Sequence, residues 1–338
     1  MAYKSTDALM RHLRGNGIAI SGSLQKRQLE NTGYFHGYKG YRFFKESKNK
    51  LPFASYKEIY ATIQYDAALK SLFYEKIMYI ETAVKNIALN AILQWDNSES
   101  IQVMFEKAIV GHGNCLKEIP SGIPKDKKRI IQRQLQMKRL NLRTKIHKNL
   151  ADSYRRENPQ IVHFYNKGND GVPLWALFEI LMMGDFGELL SCLIYDVRDD
   201  ISCRLGFNKS CDTNRQLIYK YIFILKDLRN AIAHNSVIFD ARFRRSAPNS
   251  ATKQCLQQEI GLSYVNFNTI GDYVLLVCYY LKLLHVSKTE IKAFVREYEK
   301  ITYTYQNAVN PSVSKIVIHP DLMGRLAILK SYIQLLQK

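Results

Sequence analysis

One hexapeptide holds three residues whose types suit the cleavage of a phosphodiester. It runs Arg229-Asn230-Ala231-Ile232-Ala233-His234. Arginine stays charged at every accessible pH, whereas histidine exchanges a proton near neutrality. One group can therefore hold a phosphate while the other moves protons, which is the minimum that metal-free cleavage requires.

The hexapeptide alone leaves a structural alternative open. Arg229 could form an ion pair with a nearby acid, and His234 could close a helix C-terminus, where a cation is favoured. A second arginine and histidine, Arg156 and His163, lie at a similar separation, but Pro159 between them argues against one helix that carries both. Apolar residues recur at helical spacing around the hexapeptide, which predicts a helix there.

Helix geometry indicates how these side chains relate to one another. On an ideal helix, residues five apart are rotated by about 140° and shifted by about 7.5 Å. Arg229 and His234 therefore do not share a face, whereas Asn230 and His234 do. Either the helix bends near His234 or other groups complete the site, and both arrangements favour a shared site over a self-contained one.

Positive charge is the second strong feature. The chain carries 49 Lys and Arg against 30 Asp and Glu. Residues 125–156 contain twelve of these basic residues and only two acidic ones. Such clustering is typical of proteins that bind a polyanion, although a solvated helix face is the alternative. Candidate RNA contacts are Lys125, Lys127, Lys128, Arg129, Arg133, Lys138, Arg139, Arg143, Lys145 and Lys148, with Arg242, Arg244 and Arg245 after the hexapeptide.

Two further features have both a structural and a functional interpretation. Residues 33–44 are rich in aromatic rings and glycine, which favours core packing, with base stacking as the alternative. Glu81 falls among the apolar positions of a long helical pattern over residues 56–94. Because a buried carboxylate needs a partner, Arg229 is a candidate to pair with Glu81, and Glu81 would then support the site.

The periodicity predicts an all-α fold. Strand patterns are few, and residues 314–318 give the best of them. Residues 184–187 predict a helix break or bend. We divide the chain into an N-terminal helical and aromatic segment (1–56), a helical core (57–245) with a basic insertion (117–158), and C-terminal helices (246–338).

Several classes of protein are disfavoured by what the sequence lacks. The six cysteines show no CxxC pair and no zinc-ligand spacing, and no Walker-type phosphate loop occurs. We therefore predict no metal site and no cofactor. Without an apolar leader or a membrane-length apolar run, a cytoplasmic protein with no membrane partner is expected.

The order of several short motifs resembles the bacterial abortive-infection proteins of the Abi-D/Abi-F type, the Abi-like family. In the first half these are Leu13-Arg14-Gly15-Asn16-Gly17-Ile18, Gly33-Tyr34-Phe35 with Gly40-Tyr41, Tyr60, Tyr65-Asp66 through Leu69, and Ile80-Glu81. In the second half they are Pro173-Leu174-Trp175, Glu179, Gly184 and Leu228-Arg229-Asn230 with His234. The resemblance covers residues 5–245.

This resemblance implies a HEPN-like helical bundle, because the family is similar to the HEPN superfamily of metal-independent ribonucleases. Arg229, Asn230 and His234 match its R-N-x3-H signature and would be catalytic. Composite HEPN sites imply a homodimer, and the Abi-F branch implies a bound noncoding RNA. The function implied is an antiphage endoribonuclease. The alternatives are a non-catalytic RNA-binding module and a phage-sensing interaction protein.

Overall fold

The computed structural model describes residues 5–111, 118–119, 122–167 and 171–335. Fifteen α-helices cover most of this part of the chain, and its β-structure is limited to isolated bridges such as Ala19 with Ser55. The prediction of an all-α fold is confirmed. The chain forms two compact units, unit 1 (Met1–Ile77 and Asp227–Lys338) and unit 2 (Met78–Lys226). The division into three segments stays a prediction.

The helices differ widely in length. In chain order they are α1 (Thr6–Gly15), α2 (Gly22–Tyr34), α3 (Tyr56–Asp96), α4 (Ile101–Lys107), α5 (Lys125–Arg155), α6 (Pro159–Asn166), α7 (Leu174–Ile180), α8 (Met183–Cys192), α9 (Tyr195–Leu205), α10 (Leu217–Ala233), α11 (Ser250–Ile260), α12 (Ile270–Leu283), α13 (Lys288–Ala308), α14 (Pro311–Val317) and α15 (Leu322–Gln334). A π-helical turn, Phe35–Lys39, follows α2. Helices α3 and α10 each contribute to both units.

Side-chain caps fix the starts of several helices. Before α1, the Ser5 hydroxyl accepts a hydrogen bond from the Ala8 amide at 3.3 Å. Before α13, the Glu290 amide donates to the Ser287 hydroxyl at 3.2 Å, and that hydroxyl donates to the Glu290 carboxylate at 2.8 Å. Ser287 is therefore the N-cap of α13, and its hydroxyl also binds the Glu290 side chain.

The core of unit 1 is built around α12. Almost every residue of this 14-residue helix is buried, which is expected of a helix that is apolar on all sides. Arg325 of α15 forms a buried ion pair with Asp272 of α12, and the Tyr305 ring of α13 stacks on Tyr65 of α3 at 4.4 Å. Within the described residues, no helix is both long and apolar enough to cross a membrane.

In unit 2, helix α5 is long but only partly packed. Its buried side chains, Leu142, Ile146 and Leu150, all lie in its C-terminal half, where it contacts α7 and α8. Toward its N-terminus, Ile130 and Met137 remain 57% and 49% exposed. The first half of α5 therefore presents most of its surface to solvent.

Two local predictions are wrong. Gly187 lies inside α8, and a β-carbon there would come within 2.9 Å of the Phe223 ring of α10. The glycine thus permits a close helix contact, and the break lies earlier than predicted, at Leu181 and Met182 between α7 and α8. Residues 314–318 are not a strand, because α14 begins at Pro311, which suits a first helical position, and the Asn310 side chain accepts from the Ser312 amide at 3.0 Å.

Asp96, the last residue of α3, makes stability depend on pH. It is 1% exposed, and neither of its carboxylate oxygens has a hydrogen-bond partner. Burial raises the pKa of Asp96 from 3.8 to about 6, although Lys107 opposes the rise. The folded state therefore holds this proton more tightly than the unfolded state, so the contribution of Asp96 to stability falls as the pH rises from 4 to 6.

We expect the substitution Asp96→Asn to raise the melting temperature at pH 7.5 and to have little effect at pH 4. The difference between the two pKa values corresponds to at most about 3 kcal/mol. Thermal unfolding at both pH values measures the effect. Equal melting-temperature changes at the two values would show that ionisation of Asp96 is not the cause.

Candidate active site

Helix α10 carries the hexapeptide at its C-terminal end. Its N-terminus is fixed by Asp212, whose carboxylate accepts from the amides of Gln216 and Leu217 at 2.8 and 3.1 Å. Tyr221, Leu225 and Leu228 are fully buried at successive turns. These three side chains form an apolar stripe along the helix.

The helix ends in a left-handed turn just after His234. The His234 amide still donates to the Asn230 carbonyl at 3.0 Å, the Ser236 amide donates back to Ala231 at 2.8 Å, and Asn235 has φ 50°. This pattern is a Schellman-type C-cap. His234 is thus the last residue before the turn. The imidazole is exposed, and it hydrogen-bonds to none of the described residues.

Asn230 contacts both of the other candidate residues. Its side-chain oxygen accepts from the Arg229 guanidinium at 3.4 Å, while its carbonyl accepts from the His234 amide. Arg229 and Asn230 are half-buried. One of the two expected arrangements required a bend at His234. The helix has no such bend and ends there.

A buried carboxylate fixes the chain that follows the hexapeptide. Asp66 of α3 is fully buried and accepts from the amides of Ile238 and Phe239 at 2.7 and 2.8 Å. Its other oxygen accepts from the Tyr41 hydroxyl at 2.9 Å and pairs with Lys70 at 2.7 Å. Burial and the neighbouring Asp66 charge raise the pKa of Tyr41, which keeps this hydroxyl a donor.

The same lysine reaches the residue after His234. Lys70 is one turn beyond Asp66 on α3, and its ammonium donates to the Asn235 side-chain oxygen at 2.8 Å. We name Asp66, Lys70 and Asn235 the anchor cluster. None of these three residues has a role that is predicted from the sequence, although an aspartate among the apolar positions of α3 indicates a buried carboxylate as clearly as Glu81 does.

Comparison with known proteins identifies the family. A model of Abi-like proteins matches residues 27–240, which is more than half of the 338-residue chain. The chain belongs to the Abi-like protein family. Membership associates it with abortive infection, an antiphage response. No curated protein and no solved structure gives a match.

The family match includes the hexapeptide and the anchor cluster of this Abi-like chain, and it ends before α11. Glu81 also lies within it. Glu81 is 5% exposed and pairs with Lys85 at 3.0 Å, and Lys85 also donates to the Leu181 carbonyl at 2.6 Å. A role for Glu81 at the site stays a prediction.

The cations predicted to contact RNA fall into two groups on α5. Within the described residues, seven have no acidic partner: Lys125, Lys127, Lys128, Arg129, Arg133, Lys138 and Lys148. The others make contacts in unit 2. Arg139 and Arg143 lie over the Phe105 ring at 5.8 and 5.4 Å, and Lys145 pairs with Glu188. The unpartnered group is the one that is available to an external anion.

The arginines after the hexapeptide differ in the same way. Arg242 donates to Asp240 and to the carbonyls of Gly40 and Phe43, and its guanidinium lies 4.2 Å from the centre of the Phe43 ring. Arg244 donates to the Asn266 carbonyl at 2.7 Å, whereas Arg245 is exposed. The contacts of Arg242 tie residues 33–44 to the chain beyond the hexapeptide.

Two rings of the aromatic segment, residues 33–44, pack in the core. Tyr38 and Tyr41 are 4% and 3% exposed, and Tyr41 stacks on Phe239 at 6.0 Å. Core packing, the interpretation favoured from sequence, is confirmed for these two rings. Among the residues that the structure describes, no group of three His, Cys, Asp or Glu side chains is placed to hold a metal ion.

Proposed function

We propose that this Abi-like chain is a cytoplasmic endoribonuclease of the HEPN type that acts in abortive infection by cleaving RNA without a metal ion. One observation carries the proposal. The imidazole of His234 is exposed at the end of a buried helix, and Arg229 and Asn230 lie one turn before it. A proton-transfer group and a cation therefore lie close together in sequence at the C-terminal end of α10.

The proposed reaction is an internal transfer. His234 accepts the proton of the ribose 2′-hydroxyl or donates one to the leaving 5′-oxygen. The 2′-oxygen attacks phosphorus and the bond to the 5′-oxygen breaks, which gives a 2′,3′-cyclic phosphate and a 5′-hydroxyl. Arg229 holds the scissile phosphate and stabilises its developing negative charge, while Asn230 orients His234 or the ribose.

A second copy of the chain would complete the site. One hexapeptide offers one imidazole, whereas the reaction needs a base at the 2′-oxygen and an acid at the 5′-oxygen. A homodimer with two facing α10 ends would supply both, with an Arg229 from each copy. Light scattering on the purified protein tests this part of the proposal, and a monomer that cleaves RNA would contradict it.

The decisive experiment compares two RNA oligonucleotides in the presence of EDTA. They have the same sequence, but one carries a 2′-deoxy nucleotide at the mapped cleavage position. We expect the all-ribose strand to be cut to a 2′,3′-cyclic phosphate and the substituted strand to stay intact there, because its nucleophile is missing. Cleavage of both strands, or its loss with EDTA, would contradict the mechanism.

A second candidate function is an RNA-binding module that does not cleave by itself. The observation that favours it is the run of unpartnered cations along the exposed half of α5. A structured noncoding RNA bound along this helix could also hold the nuclease inactive. The test is to express the protein together with its native flanking DNA and to purify it at moderate salt. Absorbance at 260 and 280 nm then shows whether a discrete RNA stays bound to the purified protein.

We expect neutralisation of Lys125, Lys127, Lys128 and Arg129 to glutamine to weaken RNA binding uniformly across sequences. If each cation contacts one phosphate of a single strand, the slope of log K against log salt becomes shallower by about 3. A fluorescence titration over a salt series measures this slope. The matched control neutralises four cations of α13 and α14: Lys292, Arg296, Lys300 and Lys315. An equal change of the salt slope in both variants would exclude α5 as the specific RNA surface.

A further inference from the structure

The chain around His234 is held at two points. On its N-terminal side, Leu228 and Ala231 of α10 are buried. On its C-terminal side, Asp66 accepts from the amides of Ile238 and Phe239. His234 lies between these two points, one residue before the left-handed turn at Asn235.

The turn has a tether of its own. The Lys70 ammonium donates to the Asn235 side-chain oxygen at 2.8 Å and pairs with Asp66 at 2.7 Å. Lys70 is 12% exposed and Asp66 is 0% exposed, so the ammonium is held on a buried carboxylate while it holds Asn235. A left-handed residue at a helix end is usually glycine, and glycine would offer no side chain to this tether.

We propose that Lys70 and Asn235 are positioning residues that fix the turn carrying His234, an inference that rests on the proposed nuclease function. Asn235 does two things at once: it adopts the left-handed conformation and it supplies the acceptor that Lys70 holds. Proton transfer depends strongly on geometry, and a misplacement of about 1 Å can lower a rate about a hundredfold. Loosening this turn should therefore slow the chemical step without weakening substrate binding.

The test uses substitutions that separate the tether from the conformation. Asn235→Gly keeps the left-handed conformation but removes the acceptor, whereas Asn235→Asp keeps an acceptor. The matched control is Asn97→Gly: Asn97 has φ 49° after α3, against 50° for Asn235, and its side chain has no hydrogen bond among the described residues. The two glycine variants thus differ in the tether alone.

We expect Asn235→Gly to lower kcat about tenfold with KM unchanged, and both Asn235→Asp and Asn97→Gly to stay near the parent value. The double variant with Lys70→Met should be no slower than Lys70→Met alone, because the two residues act through one contact. An unchanged kcat for Asn235→Gly, in a parent that cleaves RNA, would overturn the proposal.

A second measurement does not depend on activity. Amide hydrogen exchange across residues 234–239 should speed up in Asn235→Gly and in Lys70→Met, and not in Asn97→Gly. Unchanged exchange in the first two variants overturns the tether whatever the kinetics show. Faster exchange in a parent that does not cleave RNA would instead retain the tether and overturn the nuclease function, together with the catalytic part of this inference.

Discussion

Replacement of His234 with alanine is expected to lower the RNA cleavage rate by about 10²–10⁴-fold, the range that general acid–base catalysis contributes. The imidazole is exposed and hydrogen-bonds to none of the described residues, so its removal should cost the fold little. RNA affinity should change little as well, because the proposed binding cations lie on α5. Single-turnover cleavage and equilibrium binding, measured on the same RNA, separate the two effects.

The control for His234→Ala is His163→Ala. His163 is also exposed on a helix, α6, and follows an arginine at a similar separation, but it is not part of the hexapeptide. We expect full cleavage from His163→Ala. If His234→Ala cleaves as fast as the parent, the proposed mechanism is wrong, and α5 remains as the basis of an RNA-binding function.

The sequence predicts the all-α class and the long helix α3 because local chemistry determines them. Ser5 and Ser287 cap the helices that follow, and the apolar period of residues 56–94 gives the long helix α3. Prediction fails where a distant contact outweighs the local preference. Gly187 is an example, because its place inside α8 depends on the Phe223 ring, thirty-six residues further along the chain.

The candidate site shows the same division. Residue types and spacing are enough to single out Arg229, Asn230 and His234, and the structure places them together at the end of α10. The anchor cluster is not predictable in this way, because Asp66 and Ile238 are far apart in sequence and meet only in the folded chain. Sequence can indicate that Asp66 is buried, but it cannot indicate which amides the carboxylate accepts from.

Asp66 therefore links the stability of unit 1 to its candidate site. One fully buried carboxylate satisfies two backbone amides, a tyrosine hydroxyl and an ammonium. Buried donors that lose their acceptor carry the whole cost of their desolvation. The Asp66 carboxylate thus holds both the chain beyond the hexapeptide and Lys70. Its loss should loosen both contacts.

We expect Asp66→Ala to lower the free energy of unfolding by about 3–5 kcal/mol, the usual cost of removing one partner from a buried ion pair. Asp66→Asn, which keeps an acceptor but loses the charge, should fall between Asp66→Ala and the parent. Calorimetric unfolding measures both, with Asp126→Ala as the control, because Asp126 is exposed on the first turn of α5. If Asp66→Ala melts at the same temperature as Asp126→Ala, the carboxylate is not what holds residues 238 and 239, and the anchor cluster loses its role at the site.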